Sequence, residues 1–202
     1  MRYVGGLLMI ALIFFVDGMT NKSLADPRFY LDVQDNVAFA YGRTDAASYN
    51  DILAQLEQNP QIDTIILRHV AGTYHLGVNN RIAQLIRSRG IKTRLEKRSF
   101  VASGGVDLFL AGVERTMECG ARLAVHSWRD ERTGVTPDQL SSDPLERLMI
   151  DFHHSLGIGP DYYPFTRNAA PHDKLYYLSQ DDVRRFGLIT SERCERVGFL
   201  WW

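Results

Sequence analysis

The chain has no excess of charge of either sign. Its 202 residues carry 23 Lys and Arg against 24 Asp and Glu, which gives a formal net charge of −1 with histidine neutral. Binding to a phosphate backbone depends on a basic excess that releases counterions, and that excess is missing here. We therefore expect no nucleic-acid partner.

Internal repeats and low-complexity segments are also missing. Apolar residues make up 45% of the chain and charged residues 23%, which excludes a disordered linker, a fibre or a polar tail. A chain of this size can bury about 70% of the surface that it exposes when unfolded. We expect one continuous domain over residues 26–202, behind the N-terminal segment described below.

Cysteine is scarce, since Cys119 and Cys194 are the two in the chain. In an oxidising compartment they can form a single disulfide, but the sequence does not show that they approach each other. One disulfide and two buried thiols both remain open.

Long apolar runs are limited to residues 4–16 (VGGLLMIALIFFV), which follow Arg2 and precede a polar stretch ending Ser23-Leu24-Ala25. A basic start, a short apolar run and small residues two apart are typical of a secretory signal. A helix over this run would reach about 20 Å, short of the roughly 30 Å that a membrane span needs. We expect cleavage after Ala25 and a periplasmic or secreted protein; the alternative is an uncleaved membrane anchor.

The remaining sequence alternates between strand and helix patterns. Strands are predicted at 37–41, 62–67, 91–95 and 121–125, and helices after Thr44, around 82–86, at 104–112, at about 138–156 and at 180–186, where Ser179 is the cap. The segment 157–171, with three prolines, is predicted to be an ordered loop. Alternating strands and helices indicate an α/β fold with right-handed crossovers.

Ser103 stands at a predicted strand-to-helix turn, in the sequence Val-Ala-Ser-Gly-Gly. A serine at such a turn is exposed, and the free N–H groups that follow it can stabilise an oxyanion. The competing interpretation is a helix N-cap, a role that serine fills in many proteins without any chemistry.

His126 ends the apolar strand ARLAV, and Asp173 follows in Pro-His-Asp-Lys. An imidazole at the same sheet edge can act as the general base for a serine, and a carboxylate can orient that imidazole. Asp130 is a competitor for the third role, because it is also near His126 in the sequence.

The order Ser, His, Asp accompanies two longer segments, VASGGVDLFLAGVERTMECGARLAVHS and LSQDDVRRFGLIT. With these, the chain from about residue 37 to residue 190 resembles the proteolytic subunit of the Clp protease, and especially its secreted bacterial relatives. The resemblance implies a crotonase-like ββα superhelix. It also implies a peptidase triad of Ser103, His126 and Asp173.

The same resemblance implies that the backbone N–H groups of Gly72 and Gly104 form the oxyanion hole. It further implies a homo-oligomer that takes peptide or protein substrates, with no cofactor and no metal. No partner ATPase is expected, because ATP is lacking outside the cytoplasm. The oxyanion loop departs from the family pattern, since Ala71 stands where the family has a first glycine.

Two other functions stay open. A signal-peptide-peptidase-like enzyme would use a serine and lysine dyad, for which Lys174 is the candidate base. A non-catalytic member would use its groove to bind peptides or partner proteins. Among the remaining histidines, His153 and His154 are interpreted as a solvated helix face.

Overall fold

An eight-stranded mixed sheet organises the part of the chain that the structure describes. The computed structural model describes residues 28–130, 132–140 and 142–191. The strands are β1 (Tyr30–Gln34), β2 (Val37–Thr44), β3 (Thr64–Thr73), β4 (Lys92–Leu95), β5 (Phe100–Ala102), β6 (Arg115–Met117), β7 (Arg122–Val125) and β8 (Tyr176–Tyr177). The helices are α1 (Ser48–Gln58), α2 (Leu76–Ser88), α3 (Gly104–Leu110), α4 (Glu146–Ser155), α5 (Tyr162–Ala169) and α6 (Gln180–Arg185).

The strands run in the order β1-β2-β3-β5-β7-β8, and β4 and β6 branch from β3. The pairs β2–β3, β3–β5 and β5–β7 are parallel, whereas β1 and β8 add antiparallel edges. Because β3, β5 and β7 are parallel, their carboxyl ends meet at one edge of the sheet. Ligand and catalytic sites of open α/β sheets are found at that edge.

The core is formed by the sheet and by helices α1 to α6, each of which contributes buried apolar residues. Helix α3 is buried along its whole length, and this includes the polar Asp107. Helix α2 contributes the apolar face predicted from its spacing, through Ile82 and Ile86. The nucleophile candidate Ser103 is therefore attached to the most deeply buried helix of the described chain.

The α/β class and the four predicted strands are confirmed. Strands β1, β5, β6 and β8 were not predicted; β5, β6 and β8 have only two or three residues, too short for periodicity to indicate, and β1 is an antiparallel edge strand on β2. Thr44 does not cap α1: it is the last residue of β2, and Ala47 is the N-cap. The predicted helix over 138–156 begins only at Glu146, after a single 3₁₀ turn at Pro137–Gln139.

The predicted loop 157–171 is wrong, because it contains helix α5. Pro164 is the third residue of this helix, in the first turn, where a backbone N–H has no partner within the helix in any case. Tyr162 and Tyr163 are buried and anchor the helix to the core. Tertiary packing thus overrides the proline signal.

Several expectations fall on residues 1–27 and 192–202, which lie outside the described residues. These include the signal sequence with its cleavage after Ala25, and Cys194. Cys119, within the described chain, is disulfide-bonded. None of the helices in the described ranges is long and apolar enough to cross a membrane.

The buried tyrosines of α5 should make the fold sensitive to alkaline pH. Burial raises the pKa of Tyr162 and Tyr163; the charge of Asp107 adds to the first shift, and a 2.8 Å hydrogen bond to Asp143 adds to the second. Because the folded state holds these protons more tightly, stability is complete below the unfolded pKa of about 10 and falls as the pH rises above it. We expect the urea midpoint to drop between about pH 9 and 11.

Replacement of Tyr162 by Phe should make that pH dependence shallower, because the group that titrates is removed while the ring is kept. Tyr177→Phe is the matched control, since Tyr177 is 50% exposed. If the urea midpoint fell with pH equally steeply in the two variants, Tyr162 would not be a source of the pH dependence.

Candidate active site

Ser103 follows directly after β5, at the edge where the parallel strands end. Its backbone N–H donates to the carbonyl oxygen of Ala124 on β7, at 2.9 Å. This bond ties the Ser103 turn to a point two residues before His126. The strand register therefore brings the nucleophile candidate and the base candidate to neighbouring strand ends.

The backbone of Ser103 is strained. Its φ of 54° and ψ of −132° lie in a region that non-glycine residues rarely occupy, at a cost of about 1–3 kcal/mol. Ser103 is the N-cap residue of α3, but its hydroxyl makes no capping hydrogen bond. A serine that serves as a cap accepts a hydrogen bond from a backbone N–H of the helix. Because the Ser103 hydroxyl does not, it is available for another role.

Gly72 brings the backbone of β3 against the Ser103 side chain. A Cβ at Gly72 would lie 3.2 Å from Ser103 Cβ and 3.5 Å from Ser103 Oγ, and the φ of Gly72 is 133°. Positive φ falls on Gly72 itself and not on Ala71. The substitution of the first loop glycine by Ala71 therefore causes no backbone strain in this structure.

Gly104 and Gly105 let α3 start in close contact with β3. A Cβ at Gly104 would lie 2.6 Å from Thr73 Cγ2, and one at Gly105 would lie 2.5 Å from the carbonyl oxygen of Val70. Side chains at these positions would push the helix away from the sheet. The first N–H groups of a helix have no acceptor within it, which leaves the Gly104 N–H as a donor beside Ser103.

His126 is half-buried directly after β7. Its Nδ1 lies 2.5 Å from the carbonyl oxygen of Ser127. A carbonyl oxygen only accepts hydrogen bonds, so Nδ1 carries a proton, and in the neutral imidazole Nε2 then keeps its lone pair. That tautomer is the one that a general base for a serine needs.

Asp173 is exposed in the turn that precedes β8. Within the described ranges, no hydrogen bond joins Asp173 to His126, and none joins His126 to Ser103. The Asp130 carboxylate stabilises a local turn, because it accepts hydrogen bonds from the backbone N–H groups of Arg132 and Thr133. The structure thus brings Ser103, Gly72 and Gly104 together, sets His126 on the adjacent strand, and leaves the position of Asp173 in the triad as a prediction.

His153 is not solvated, contrary to expectation. It is 2% exposed, and its Nε2 lies 2.9 Å from Asp107 Oδ1, which links α4 to the helix that follows Ser103. His153 faces the core, where it pairs with Asp107 of α3, whereas its neighbour His154 is exposed. His75 accepts a bond from the N–H of Val78 and caps α2.

A buried polar cluster behind the nucleophile turn was missed by the sequence analysis. It consists of Thr44, Thr73 and Asn79, and it contacts the carbonyl oxygen of Gly104. The signal was present, since Asn79 interrupts the apolar face that α2 forms with Val78 and Ile82. A polar residue on such a face needs a buried partner.

A cavity of about 870 Å³ opens beside Ser127, the residue that follows His126. Its wall includes Arg129, Asp138, Arg167 and His172. Among the residues described, no group of three or more His, Cys, Asp or Glu side chains is arranged to hold a metal ion. Because Arg129, Arg167 and Asp138 line it, the cavity carries charges of both signs.

No family model and no curated protein sequence matches the chain. Solved structures do match. The chain is similar to 1510-N, a membrane-bound stomatin-specific protease, with a TM-score of 0.53 and 16% identity over 78% of this chain and 80% of that one. It is similar to ClpP1 from Listeria monocytogenes with a TM-score of 0.52 and 16% identity, over 77% of this chain and 89% of that one.

A complex of the stomatin-specific protease with a substrate peptide also matches, with a TM-score of 0.52 and 17% identity, over 76% of this chain and 72% of that one. At these identities the likeness concerns the fold. The chain shares the α/β fold of ClpP1 and the stomatin-specific protease, as the sequence resemblance implied.

Proposed function

We propose that the protein is a serine hydrolase, and specifically a peptidase, with Ser103 as its nucleophile. The observation that carries this proposal is the strained backbone of Ser103, which leaves its hydroxyl without a capping bond and against the backbone of Gly72. Strain of this kind persists where a function requires it. Two solved structures that share the fold are of a protease that acts on stomatin, and one of them holds a substrate peptide.

In the proposed mechanism, Nε2 of His126 takes the proton of Ser103 as Oγ attacks the substrate carbonyl. The N–H groups of Gly72 and Gly104 donate to the oxyanion that forms. His126 then gives the proton to the leaving amine, and a water molecule hydrolyses the acyl-enzyme by the same steps. The Ser127 carbonyl supports the required tautomer of His126, and Asp173 is proposed to stabilise the imidazolium.

The proposal also includes the location, the assembly and the substrate of the enzyme. The N-terminal segment supports export to the periplasm or beyond, where no ATPase partner is expected. The fold shared with ClpP1 supports a homo-oligomer that acts on peptides or proteins. The cavity beside Ser127, the residue that follows His126, is proposed to receive one side of a peptide.

Covalent labelling tests the nucleophile. We expect a fluorophosphonate probe to label the exported protein once per chain and the Ser103→Ala variant not at all, because the probe needs an activated serine beside an oxyanion hole. Ser88→Ala is the matched control: Ser88 lies on α2 and bonds only to the carbonyl oxygen of Leu85. Peptide mapping by mass spectrometry should place the adduct on Ser103.

A peptide-binding scaffold is the second candidate. It is favoured by one observation, that His126 has no hydrogen bond to Ser103 or Asp173 in the described residues. A wild-type protein that binds peptides but is never labelled would support the scaffold and contradict the hydrolase.

A further inference from the structure

We propose that Asn79 is a positioning residue for the oxyanion hole, because it fixes the spacing between the backbones of Gly72 and Gly104. This inference rests on the proposed hydrolase function. Asn79 lies in the first turns of α2 and is fully buried, and within the described residues its side chain bonds to Thr44 and Gly104 and not to the Ser103 hydroxyl. It acts through the backbone of Gly104, whose N–H is one of the two proposed oxyanion donors.

The orientation of the Asn79 carboxamide follows from its contacts. One end lies 2.9 Å from the carbonyl oxygen of Gly104, and the other lies 2.9 Å from Thr44 Oγ1. The Gly104 oxygen can only accept, so the atom facing it must be the Nδ2 amide nitrogen. The Asn79 oxygen therefore accepts from Thr44, and the side chain has a partner at both ends.

The cluster reaches both halves of the proposed hole. Thr44 Oγ1 also lies 2.7 Å from Thr73 Oγ1, and Thr73 follows Gly72 at the end of β3. Asn79 thus links the strand end that carries one donor to the helix start that carries the other. A Cβ at Gly72 would meet the Ser103 side chain and one at Gly104 would meet the Thr73 side chain, so the strand end and the helix start are in close contact. The spacing between Gly72 and Gly104 is therefore set in this cluster.

Loss of the Asn79 donor would leave the Gly104 oxygen unpaired in a buried position. The helix start would then shift toward water or another donor, and the Gly104 N–H would shift with it. A displacement of about 1 Å in an active site can cost about 100-fold in rate. Because the hole acts on the transition state, the loss should fall on kcat and leave KM nearly unchanged.

Asn79→Asp is the sharpest variant, because it keeps the shape and the acceptor for Thr44 but replaces the donor that faces Gly104. We expect kcat for p-nitrophenyl butyrate and the rate of fluorophosphonate labelling to fall by about 10- to 100-fold, with KM unchanged. Asn80→Ala is the matched control, since Asn80 is the next residue on α2 and its amide contacts only Met149. It should keep the wild-type kcat.

Thr44→Val provides a second variant in case Asn79→Asp fails to fold, since it removes only the hydroxyl that holds the carboxamide. It should lower kcat by a few-fold, and amide exchange at Gly104 should quicken in it and not in Asn80→Ala. An active wild type whose Asn79→Asp and Thr44→Val variants keep the full kcat would overturn this inference alone. A wild type that is neither labelled nor active would overturn the hydrolase proposal together with it.

Discussion

Replacing His126 by alanine should lower ester and peptide hydrolysis by at least about 10³-fold, whereas Lys174→Ala should leave the rate unchanged. His126 directly follows the strand that is bonded to Ser103, and the Ser127 carbonyl holds its ring in the basic tautomer. A lysine that acts as a general base sits in a desolvated site, whereas Lys174 is exposed in the turn before β8. Steady-state kinetics of the two variants, each checked for folding by circular dichroism, provide the measurement.

The opposite result, in which activity is lost only with Lys174, would support a serine and lysine dyad. Asp173→Asn completes the series, because it tests the third proposed member without changing the shape of the turn. A loss smaller than that of His126→Ala is expected, since the Ser127 carbonyl already holds the tautomer. If Asp173→Asn keeps the full rate at all pH values, Asp173 is not part of the site.

Replacing Asp107 by leucine should destabilise the fold by about 3–5 kcal/mol, the cost of removing one partner of a buried pair. Asp107 Oδ1 accepts from His153 across the interface of α3 and α4, and both side chains are almost wholly buried. Within the described chain, the other ring nitrogen of His153 already has no partner. Without Asp107 the imidazole would be buried with neither nitrogen paired.

Urea denaturation should show this loss as a lower midpoint with an unchanged slope. Asp107→Asn is the matched control, because it keeps an oxygen acceptor for His153 and should lose much less. The double variant Asp107→Leu with His153→Phe should recover most of the stability, because no polar group is then left unpaired. A double variant no more stable than Asp107→Leu would show that the pair is not the source of the effect.

The elements with strong periodicity were predictable from the sequence. Helix α2 shows its apolar spacing at Ile82 and Ile86, and β3 begins with a β-branched run. The short strand β5, which leads to Ser103, has three residues and no pattern of its own. It exists because β3 and β7 on either side supply its hydrogen bonds.

In the candidate site, too, some residues were predictable from the sequence and others were not. Ser103, Gly72 and Gly104 could be named because a serine before two glycines at a strand-to-helix turn has a local signature. Asn79 and His153 could not be assigned, since their partners lie 25 and 46 residues away along the chain. A buried polar side chain shows its role only when its partner is known.

By itself, the sequence determined the α/β class, the strand-to-helix turn at Ser103 and the near-neutral charge, because periodicity, glycine and net charge act locally or over the whole composition. The tertiary structure alone decided that α3 is buried on all sides and that the φ of Ser103 is positive. It also decided that Asn79 bridges two strand ends and a helix start. These features depend on contacts between residues far apart in the chain, and such contacts form only when the sheet brings its strands together.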